Sequence, residues 1–560
     1  MAAISRPQPT GPADYGPGPE RRQRPASAGR ATEAMPGIID AVRDQDGVCW
    51  IRYGAPGRAI WFSLPELVSQ SLDVFRRVST VDSRCLMPTS QSGFKRRVEE
   101  HSAYRDALVA SRPGWLDGHY VFGDATFISP RSDDRKVIVT ADPNPKFSPQ
   151  GTLAEWQAEI GPLVTEQPLL FFSLAFAFVG PILRFAPSHY HNPQAELVSR
   201  GEIGKSTVGK LAASVWAGNS GADSGGGETW HGTLNSLDTL KRDHRDGLLF
   251  IDEFNLAGDS AGQRREIGRQ AVFQFASTAG KRRMGDPPKS EHARIAVLST
   301  TNSALAEVLQ DTPDVRDAAL SRMLTLRIAN DAPNGVFDHL PEGYRDARRA
   351  TEALDAAVNR SWGSAAEAFV AELVKAAERN EAGLRRLIEG GLERYMQRDR
   401  IEVRSARIQK TLAITAVAAS LAQRYGVMRS SWGSPLAMIQ AVAAGLSPST
   451  VARIAPSDRI AEYVKRHRSE IVDVSTLRGP LLATAFGRTP GFLRDRDGRT
   501  ELLVPAGRFQ ETFPDYQDLM RELRTLGLAV TEGGRQAKLT IKAPRSICRE
   551  GRVYCVVFSR

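Results

Sequence analysis

The chain has 560 residues, of which 41% are hydrophobic, and its 74 basic and 64 acidic side chains leave a formal net charge of +10. This composition excludes a wholly disordered chain, and the length with only 4 cysteines excludes a small disulfide-stapled scaffold. Of the basic residues, 61 are arginines and 13 are lysines, a ratio that genomic base composition also produces. The positive charge alone therefore does not establish nucleic acid as a partner.

The N-terminal residues 1–35 are rich in Pro, Gly, Ala and Arg and lack the apolar core of a signal peptide, so they predict a disordered tail. The cysteines form no CxxC pair, which indicates neither a zinc site nor a disulfide framework and favours a reducing cytoplasm. The apolar run 169–183 contains Ser173 and Pro181 and is shorter than the roughly 18 residues of a membrane span, so it predicts a buried helix and no membrane contact.

Residues 36–165 predict an N-terminal domain of mixed α and β structure. Its strand-like runs are separated by turn residues, and an amphipathic helix is expected at 64–77. A Thr152-x-x-Glu155 capping box predicts a helix start just after this region. The predicted strands are 48–53, 59–62 and 136–140.

Residues 166–335 predict the chemical core. Short apolar strands alternate with helical stretches, which is the pattern of an α/β fold with a parallel sheet. The predicted strands are 197–198, 248–251, 295–298 and 324–328.

A candidate phosphate-binding loop follows the first of these strands and opens a helix predicted at 207–216. In such a loop, backbone N–H groups and the helix dipole meet phosphate oxygens, Lys205 reaches the β- and γ-phosphates, and the Ser206 hydroxyl binds Mg²⁺. Ser199 stands where the usual pattern has its first glycine, which weakens the match, and a chance Gly-Lys-Ser loop stays an alternative. The nucleotide-contacting candidates are Ser199, Arg200, Gly201, Glu202, Ile203, Gly204, Lys205, Ser206 and Thr207.

Two adjacent carboxylates, Asp252 and Glu253, end the apolar strand 248–251. A buried strand that ends in acids needs a partner for their charge. Asp252 is placed to hold Mg²⁺ and Glu253 to polarise the attacking water of ATP hydrolysis. The alternative is a strand that simply runs out into a solvated acidic turn.

Polar residues after the next strands complete the predicted catalytic set. Thr300 and Asn302 follow the strand 295–298 and are candidates for contacts to the γ-phosphate or the water, against plain loop capping. Arg322 precedes the last strand and is a candidate arginine finger, inserted into the site of a neighbouring subunit, against a surface arginine.

Residues 336–455 predict a helical lid, in which 408–421 is apolar on nearly every face. Arg404 and Arg407 are candidates for a second nucleotide sensor, against surface arginines. Residues 456–560 place a helix at 515–526 before two strand-like runs joined by a Gly533-Gly534 turn, and this order of a helix and then a hairpin favours a winged-helix-like domain. The same residues carry 19 basic against 13 acidic side chains.

The order of loop, acidic strand, polar sensor and finger resembles the AAA+ ATPases. Over about 45–558 the chain is similar to the bacterial family Domain of Unknown Function 927, on motifs at 151–157, 204–207, 211–216, 230–235, 249–253, 280–283 and 298–300. That resemblance implies self-loading helicases of mobile genetic elements, similar to hexameric MCM helicases. The fold class predicted is therefore a P-loop NTPase core with an N-terminal mixed domain, a helical lid and a winged-helix-like domain.

The function predicted is Mg²⁺-dependent ATP hydrolysis coupled to translocation on single-stranded or forked DNA by a homo-oligomeric ring, with six members if it follows the MCM helicases. Lys281, Arg282 and Arg283 are placed like a channel hairpin that meets DNA phosphates, against a solvated basic turn. An ATP-gated oligomeric switch in phage defence, without unwinding, stays an alternative. A winged-helix DNA-binding regulator with a degenerate ATPase module is a third.

Overall fold

In a computed structural model of the chain, the described residues form two compact units, Met1–Leu446 and Ser447–Arg560. Residues 1–34 of the predicted tail lie outside the described part of the chain. The described residues are 35–55, 57–86, 88–218, 225–231, 236–277, 293–309, 313–398, 405–446, 456–496, 499–513, 516–532 and 538–558.

The first unit begins with a four-stranded sheet and three helices: β1 (Gly37–Arg43), β2 (Cys49–Ala55), β3 (Arg58–Ser63), α1 (Leu64–Ser69), α2 (Ser71–Ser79), α3 (Pro88–Glu99) and β4 (Arg105–Asp106). The strand order is β3-β2-β1-β4. The helix predicted at 64–77 is two helices, because Gln70 has non-helical φ and ψ of −129° and 40°. This break lets Leu67 of α1 and Phe75 of α2 enter the same apolar cluster.

Five short strands follow: β5 (Leu108–Ala110), β6 (Gly114–Leu116), β7 (His119–Val121), β8 (Phe127–Ile128) and β9 (Val137–Val139). β5 pairs with β9, and β6, β7 and β8 form an antiparallel sheet. Trp115 and Tyr120 meet edge to face, with ring centroids 5.2 Å apart, and both belong to the main hydrophobic core of the unit. Residues of the predicted N-terminal domain therefore share that core.

Three helices lead to the central sheet: α4 (Leu153–Val164), α5 (Pro168–Ala177) and α6 (Val179–Ile182). The predicted capping box is present, since Thr152 Oγ1 accepts from Glu155 N at 3.2 Å and Glu155 Oε2 accepts from Thr152 N at 2.7 Å. The apolar run 169–183 is buried from Leu170 onwards, as predicted, but it forms two helices, α5 and α6, with Phe178 between them. Among the residues that the structure describes, no helix has the length and apolarity that a membrane span needs.

The central sheet has five parallel strands in the order β11-β12-β13-β10-β14. The prediction of an α/β fold with a parallel sheet is therefore confirmed. The strands are β10 (Gln194–Val198), β11 (Glu228–Thr229), β12 (Leu248–Asp252), β13 (Ala296–Thr301) and β14 (Met323–Arg327). The helices among them are α7 (Lys205–Ser214), α8 (Ser236–Asp243), α9 (Ala261–Ala276), α10 (Leu305–Val308) and α11 (Pro313–Arg322).

Successive side chains of these strands enter different cores, as strand geometry requires. In β12, Leu248 and Phe250 pack with α7 in the main core, whereas Leu249 and Ile251 pack with α9 in a second cluster. Both faces are thus covered, which explains why β12 reads as an uninterrupted apolar run and not as an alternating one.

The predicted lid is helical: α12 (Ala347–Val358), α13 (Ser364–Arg398), α14 (Ala406–Arg424) and α15 (Pro435–Gly445). α13 is kinked at Asn380, where φ is −166°. α14 is buried along most of its length, as its apolar sequence predicts. The main core runs from Trp115 to Ala443 and so crosses the predicted domain boundaries at 165 and 335.

The second unit is a mixed sheet with helices: α16 (Pro456–Arg466), β15 (Val472–Asp473), α17 (Ala483–Arg488), β16 (Phe492–Arg496), β17 (Arg499–Pro505), α18 (Ala506–Thr512), α19 (Tyr516–Thr525), β18 (Ala529–Val530), β19 (Ile541–Lys542) and β20 (Arg552–Phe558). The strand order is β15-β16-β17-β20-β18, and β19 also pairs with β20. The helix predicted at 515–526 is α19, and Gly527 follows it with φ of 70°.

The hairpin predicted after this helix differs from the described pairing. β18 and β19 flank the Gly533-Gly534 turn, which lies outside the described residues, and both strands pair with β20. β20 is long enough to pair with both strands. Its residues Cys555 and Val556 pair with β18, and Arg552 and Val553 pair with β19.

A buried ionic cluster ties Lys146 to the edge of the parallel sheet. Lys146 Nζ contacts Glu228 Oε1, and His244 Nε2 lies 3.0 Å from the same oxygen. Burial by itself raises the pKa of Glu228, but the hydrogen bond to His244 and the charges of His244 and Lys146 outweigh it and lower the pKa to about 2. The ionised carboxylate therefore stabilises the position of β11.

Replacing Glu228 with glutamine is expected to destabilise the fold in a pH-dependent way. Because the pKa falls from 4.5 to about 2 on folding, the charge contributes on the order of 3 kcal/mol above about pH 4.5, and this is lost as the pH falls towards 2. Urea unfolding of wild type and Glu228→Gln should show a large gap at pH 7 that shrinks at pH 3.5. The exposed Glu342→Gln variant is the control, and an equal gap at both pH values would contradict the expectation.

Candidate active site at the carboxyl edge of the parallel sheet

Three polar segments meet where the central strands end. Residues 199–204 follow β10, Asp252 and Glu253 stand at the end of β12, and Thr300 lies near the end of β13. β13 lies between β10 and β12, so Thr300 separates the loop strand from the acidic strand. Crevices at the carboxyl ends of parallel strands are the usual ligand sites of such sheets.

The loop 199–204 passes directly into α7. Gly204 stands before the first helical residue with φ of 97°, a conformation that favours glycine, and a Cβ there would lie 3.1 Å from Thr351 Cγ2. The N–H groups at the start of α7 have no partner within the helix, and their dipole favours an anion. Of the other candidates here, Glu202 is exposed, Ile203 is partly buried, and Thr207 is buried on α7.

The Lys205 ammonium folds back over the loop. Its Nζ donates to the Ser199 carbonyl at 2.6 Å and to the Gly201 carbonyl at 3.1 Å. Burial lowers the pKa of Lys205, and the charges of Asp252 and Glu253 oppose that shift. A cation is therefore held beside the loop and within the field of both carboxylates.

Asp252 connects the loop helix to β13. Its Oδ1 accepts from Ser206 Oγ at 3.0 Å and from Thr300 Oγ1. The Asp252 side chain is buried at the end of its strand, where hard oxygen ligands suit Mg²⁺. The two residues predicted as metal ligands thus lie in direct contact.

Glu253 has a left-handed backbone, with φ of 59° and ψ of 66°. This conformation costs a non-glycine residue about 1 kcal/mol. The Glu253 N–H donates to Thr300 Oγ1 at 2.9 Å, so one hydroxyl holds both acidic residues. The Glu253 side chain itself is exposed.

Asn302 lies in the turn after β13, and its side chain is exposed. Its backbone N–H donates to Asn255 Oδ1 at 2.9 Å, and Thr301 Oγ1 lies 3.5 Å from the same oxygen. Asn255, which the sequence analysis missed, therefore holds the turn after β13 against the turn after β12.

Asn330 is a second residue that the motifs did not reveal. Its Oδ1 accepts from Ser199 Oγ at 2.9 Å and from Arg200 N at 2.7 Å, and Ser199 Oγ lies 3.3 Å from Gly201 N. Ser199 is buried. The serine at the first glycine position thus makes a specific contact with a segment 130 residues downstream of the loop.

Glu196, in the centre of β10, was also missed. Its carboxylate accepts from Thr325 Oγ1 at 2.7 Å and from Leu305 N at 3.0 Å, which joins β14 and the segment after Asn302 to the loop strand. Burial raises the pKa of Glu196 to about 7, against the lowering effect of those hydrogen bonds. No sequence motif indicates this residue, because its contacts form only where β10, β14 and the segment after β13 meet.

The structure does not bring Arg322 to this edge of the sheet. It ends α11 just before Met323, which pairs with Gln194 at the amino end of β10. Five strand residues separate that end from the loop, or roughly 16 Å. Arg322 lies over the Phe273 ring at 5.1 Å and lines a cavity of about 620 Å³ together with Arg407.

Burial lowers the pKa of Arg322, and the neighbouring charge of Arg407 adds to the shift. Arg407, a candidate second sensor, lines the same cavity as Arg322. It is therefore also remote from Lys205 of the same chain. Arg404 and the candidate DNA-binding residues Lys281, Arg282 and Arg283 lie outside the described residues.

One family model matches part of the chain. Residues 87–286 match the model of the Domain of unknown function (DUF927). The DUF927 match, which confirms the resemblance seen in the sequence, includes the loop, Asp252, Glu253 and the segment 281–283 and ends before Thr300. It is narrower than the span of about 45–558 over which the sequence motifs were recognised. A search of curated proteins found no match.

Two of the solved structures that match the chain are described here by their similarity to it. One, described as "SCCmec type IV Cch - active helicase", has a TM-score of 0.57 and 15% identity, over 94% of this chain and 93% of that chain. The other is the A form apo structure of the NrS-1 C-terminal region, with a TM-score of 0.29 and 8% identity, over 93% of this chain and 96% of that one. The first structure shares the fold of this chain, whereas the TM-score of the second is too low to show a shared fold.

Proposed function

We propose that the chain is a P-loop ATPase of AAA+ architecture that couples ATP hydrolysis to movement on DNA. The observation that carries the proposal is the contact of Ser206 and Thr300 with Asp252 beside the loop 199–204. With Lys205 beside the same loop, hydroxyls, a carboxylate and a cation lie together, which supports the binding of a phosphate chain and its metal there.

The residues have distinct roles in this proposal. The loop N–H groups and Lys205 bind the phosphates, Ser206 and Asp252 hold Mg²⁺, and Glu253 orients the attacking water. Bound Mg²⁺ would neutralise the charge that develops on the phosphate oxygens. Thr300 positions both acids, and Asn302 shapes the adjacent turn.

Arg322 acts in a neighbouring copy in this proposal. Because it lies at the opposite edge of the sheet from Lys205, it serves as an arginine finger only if a second copy presents that edge to the loop. Such head-to-tail contacts form a ring when the rotation between successive copies closes. A homo-oligomeric ring that surrounds DNA therefore fits the two separated halves of the site.

The remaining assignments follow the predicted organisation. Residues 36–165 form the N-terminal domain, 166–335 the ATPase core, 336–455 the lid and 456–560 a winged-helix-like domain. Lys281, Arg282 and Arg283 contact DNA phosphates. The fold shared with an active helicase supports the DNA-linked function, and the four free cysteines suit a cytoplasmic protein.

Strand displacement tests the proposal. Purified protein with ATP and Mg²⁺ should separate a forked DNA duplex, and displacement should stop when ATP is replaced by a non-hydrolysable analogue. Hydrolysis of ATP without displacement would instead support an ATP-gated oligomeric switch.

Replacing Asn330 with alanine should weaken ATP binding. The variant loses the acceptor for Ser199 Oγ and Arg200 N, and two such hydrogen bonds correspond to roughly a 5- to 30-fold change in affinity. Calorimetric titration with Mg·ATP measures the effect. The exposed neighbour Asp331→Ala is the control, and wild-type affinity in Asn330→Ala would show that the loop does not depend on this contact.

A further inference from the structure

Glu196 is a buried carboxylate in the middle of the loop strand β10. Its side chain is 2% exposed and faces the side of the sheet opposite to Ala195 and Leu197, which lie in the main core. In the parallel pairing it stands beside Thr325 of β14. Burial disfavours the charge of a carboxylate, and an apolar residue of similar size would fill the same space. Packing alone therefore does not explain an acid at this position.

Both carboxylate oxygens of Glu196 accept hydrogen bonds from other elements. Oε1 accepts from Thr325 Oγ1 at 2.7 Å, and Oε2 accepts from the backbone N–H of Leu305 at 3.0 Å. Leu305 is the first residue of α10, and an N–H at that position has no acceptor within its own helix. Glu196 supplies that acceptor and so fixes the start of α10 to β10.

The start of α10 is joined to the candidate active site by the short segment 302–304. β13 ends at Thr301, and α10 begins at Leu305. Thr300 contacts both acidic residues of the site, Asp252 through its side chain and Glu253 through its backbone N–H. Because only three residues lie between the two elements, the position of Leu305 limits where the end of β13 can lie.

The charge of Glu196 costs stability. Burial raises the pKa of Glu196 to about 7, and the charge of Glu307 adds to this shift, whereas the two hydrogen bonds and the charge of Arg327 oppose it. Arg327 lies on β14 and forms its ion pair with Glu307, at 2.6 Å. The folded protein thus binds this proton more tightly than the unfolded chain, and the fold loses stability as the pH rises from about 4.5 to about 7. A neutral side chain of the same shape would give a more stable fold at pH 8.

We infer that Glu196 is a positioning residue for ATP hydrolysis, which holds the segment 302–304 and, through it, Thr300 beside the acidic strand. The inference rests on the proposed function and adds to it a residue that acts through others. Thr325 lies three residues after Arg322, so the same carboxylate also ties the strand of the candidate arginine finger to this segment. A buried group that costs stability is expected where it serves activity.

Two variants remove the interaction to different degrees. Glu196→Met keeps the approximate size of the side chain and removes both acceptors, whereas Glu196→Gln keeps one neutral oxygen that can accept from Leu305 N. Gln194→Met is the matched control. Gln194 is buried two residues earlier on the same face of β10, and its Nε2 donates to the Val272 carbonyl at 3.1 Å and not to the segment 302–304.

Glu196→Met in the full chain should hydrolyse ATP about 10- to 100-fold more slowly than wild type, which corresponds to the loss of a hydrogen bond to a charged group. Its affinity for Mg·ATP should stay close to the wild-type value, because Glu196 makes no contact with Lys205 or Ser206. Glu196→Gln should have an intermediate rate, and Gln194→Met should hydrolyse ATP as wild type does. Single-turnover hydrolysis and calorimetric titration measure the two effects.

Stability and pH dependence separate positioning from a purely structural role. All 8 tryptophans lie in the first unit, so their fluorescence reports its unfolding in urea. Glu196→Gln should have a higher urea midpoint than wild type at pH 8, with a smaller difference at pH 5, and yet hydrolyse ATP more slowly. The ratio of the wild-type rate to the Glu196→Gln rate should grow from pH 6 to pH 8, because the wild-type carboxyl group ionises over this range.

Wild-type hydrolysis in both Glu196 variants would overturn the inference and leave the proposed function intact. A slower Glu196→Gln that is also less stable than wild type at pH 8 would assign Glu196 to the fold alone, with the same consequence. If Glu196→Met does not fold, Glu196→Gln decides between these outcomes. Failure of the wild-type protein to bind and hydrolyse ATP would instead overturn the proposed function, and the inference with it.

Discussion

Replacing Lys205 with alanine is expected to reduce ATP hydrolysis by about 100- to 1,000-fold, the usual cost of removing one preorganised group that stabilises transition-state charge. Lys205 is the cation that the fold holds over the loop, with its Nζ 2.6 Å from the Ser199 carbonyl. Steady-state phosphate release, with and without DNA, measures the effect.

Lys210→Ala is the matched control for this change. Lys210 lies on the same helix, but its Nζ pairs with Asp355 at 3.0 Å and not with the loop carbonyls. Its loss should change hydrolysis by no more than a few-fold, since a partly exposed ion pair contributes little. DNA-stimulated hydrolysis that survives in Lys205→Ala would show that the nucleotide is bound elsewhere.

Glu253→Gln is expected to lower the rate of hydrolysis by about 100- to 10,000-fold while leaving nucleotide binding close to wild type. Glutamine keeps the size of the side chain and the Glu253 N–H bond to Thr300, but it cannot act as the base for water. Single-turnover hydrolysis and calorimetric titration with Mg·ATP separate the two effects.

The control for Glu253→Gln is Asp259→Asn, which neutralises an exposed acid six residues further on, outside the site. It should hydrolyse ATP as wild type does. A Glu253→Gln variant that retains full activity would assign the base to another residue, and one that fails to bind ATP would assign Glu253 to binding.

The strands of the core were predicted at 197–198, 248–251, 295–298 and 324–328 because each is a short apolar run bounded by polar groups. The helix at 64–77 was predicted as one element because its apolar spacing continues across Gln70. The structure divides this region into α1 and α2, and both helices pack into the cluster around Phe75. The local periodicity of the sequence does not encode that packing.

The same distinction applies to the predicted hairpin after α19. The Gly533-Gly534 turn signal suggested that its two flanking strands pair with each other. In the second unit both pair with β20, whose sequence lies at 552–558 and is far from the turn. Strand pairing depends on which backbones meet, and turn residues alone do not specify that.

By itself, the sequence determined which residue types stand together at the candidate site, because these residues lie at the ends of recognisable strands and in one loop. They are Lys205, Ser206, Asp252, Glu253 and Thr300. Parallel strands bring such ends to one edge. Only the tertiary structure decided that Asn330 holds Ser199, that Glu196 joins β14 to Leu305 after β13, and that Arg322 lies at the opposite edge. These depend on contacts between residues more than 100 positions apart or on strand order, and neither leaves a local pattern in the chain.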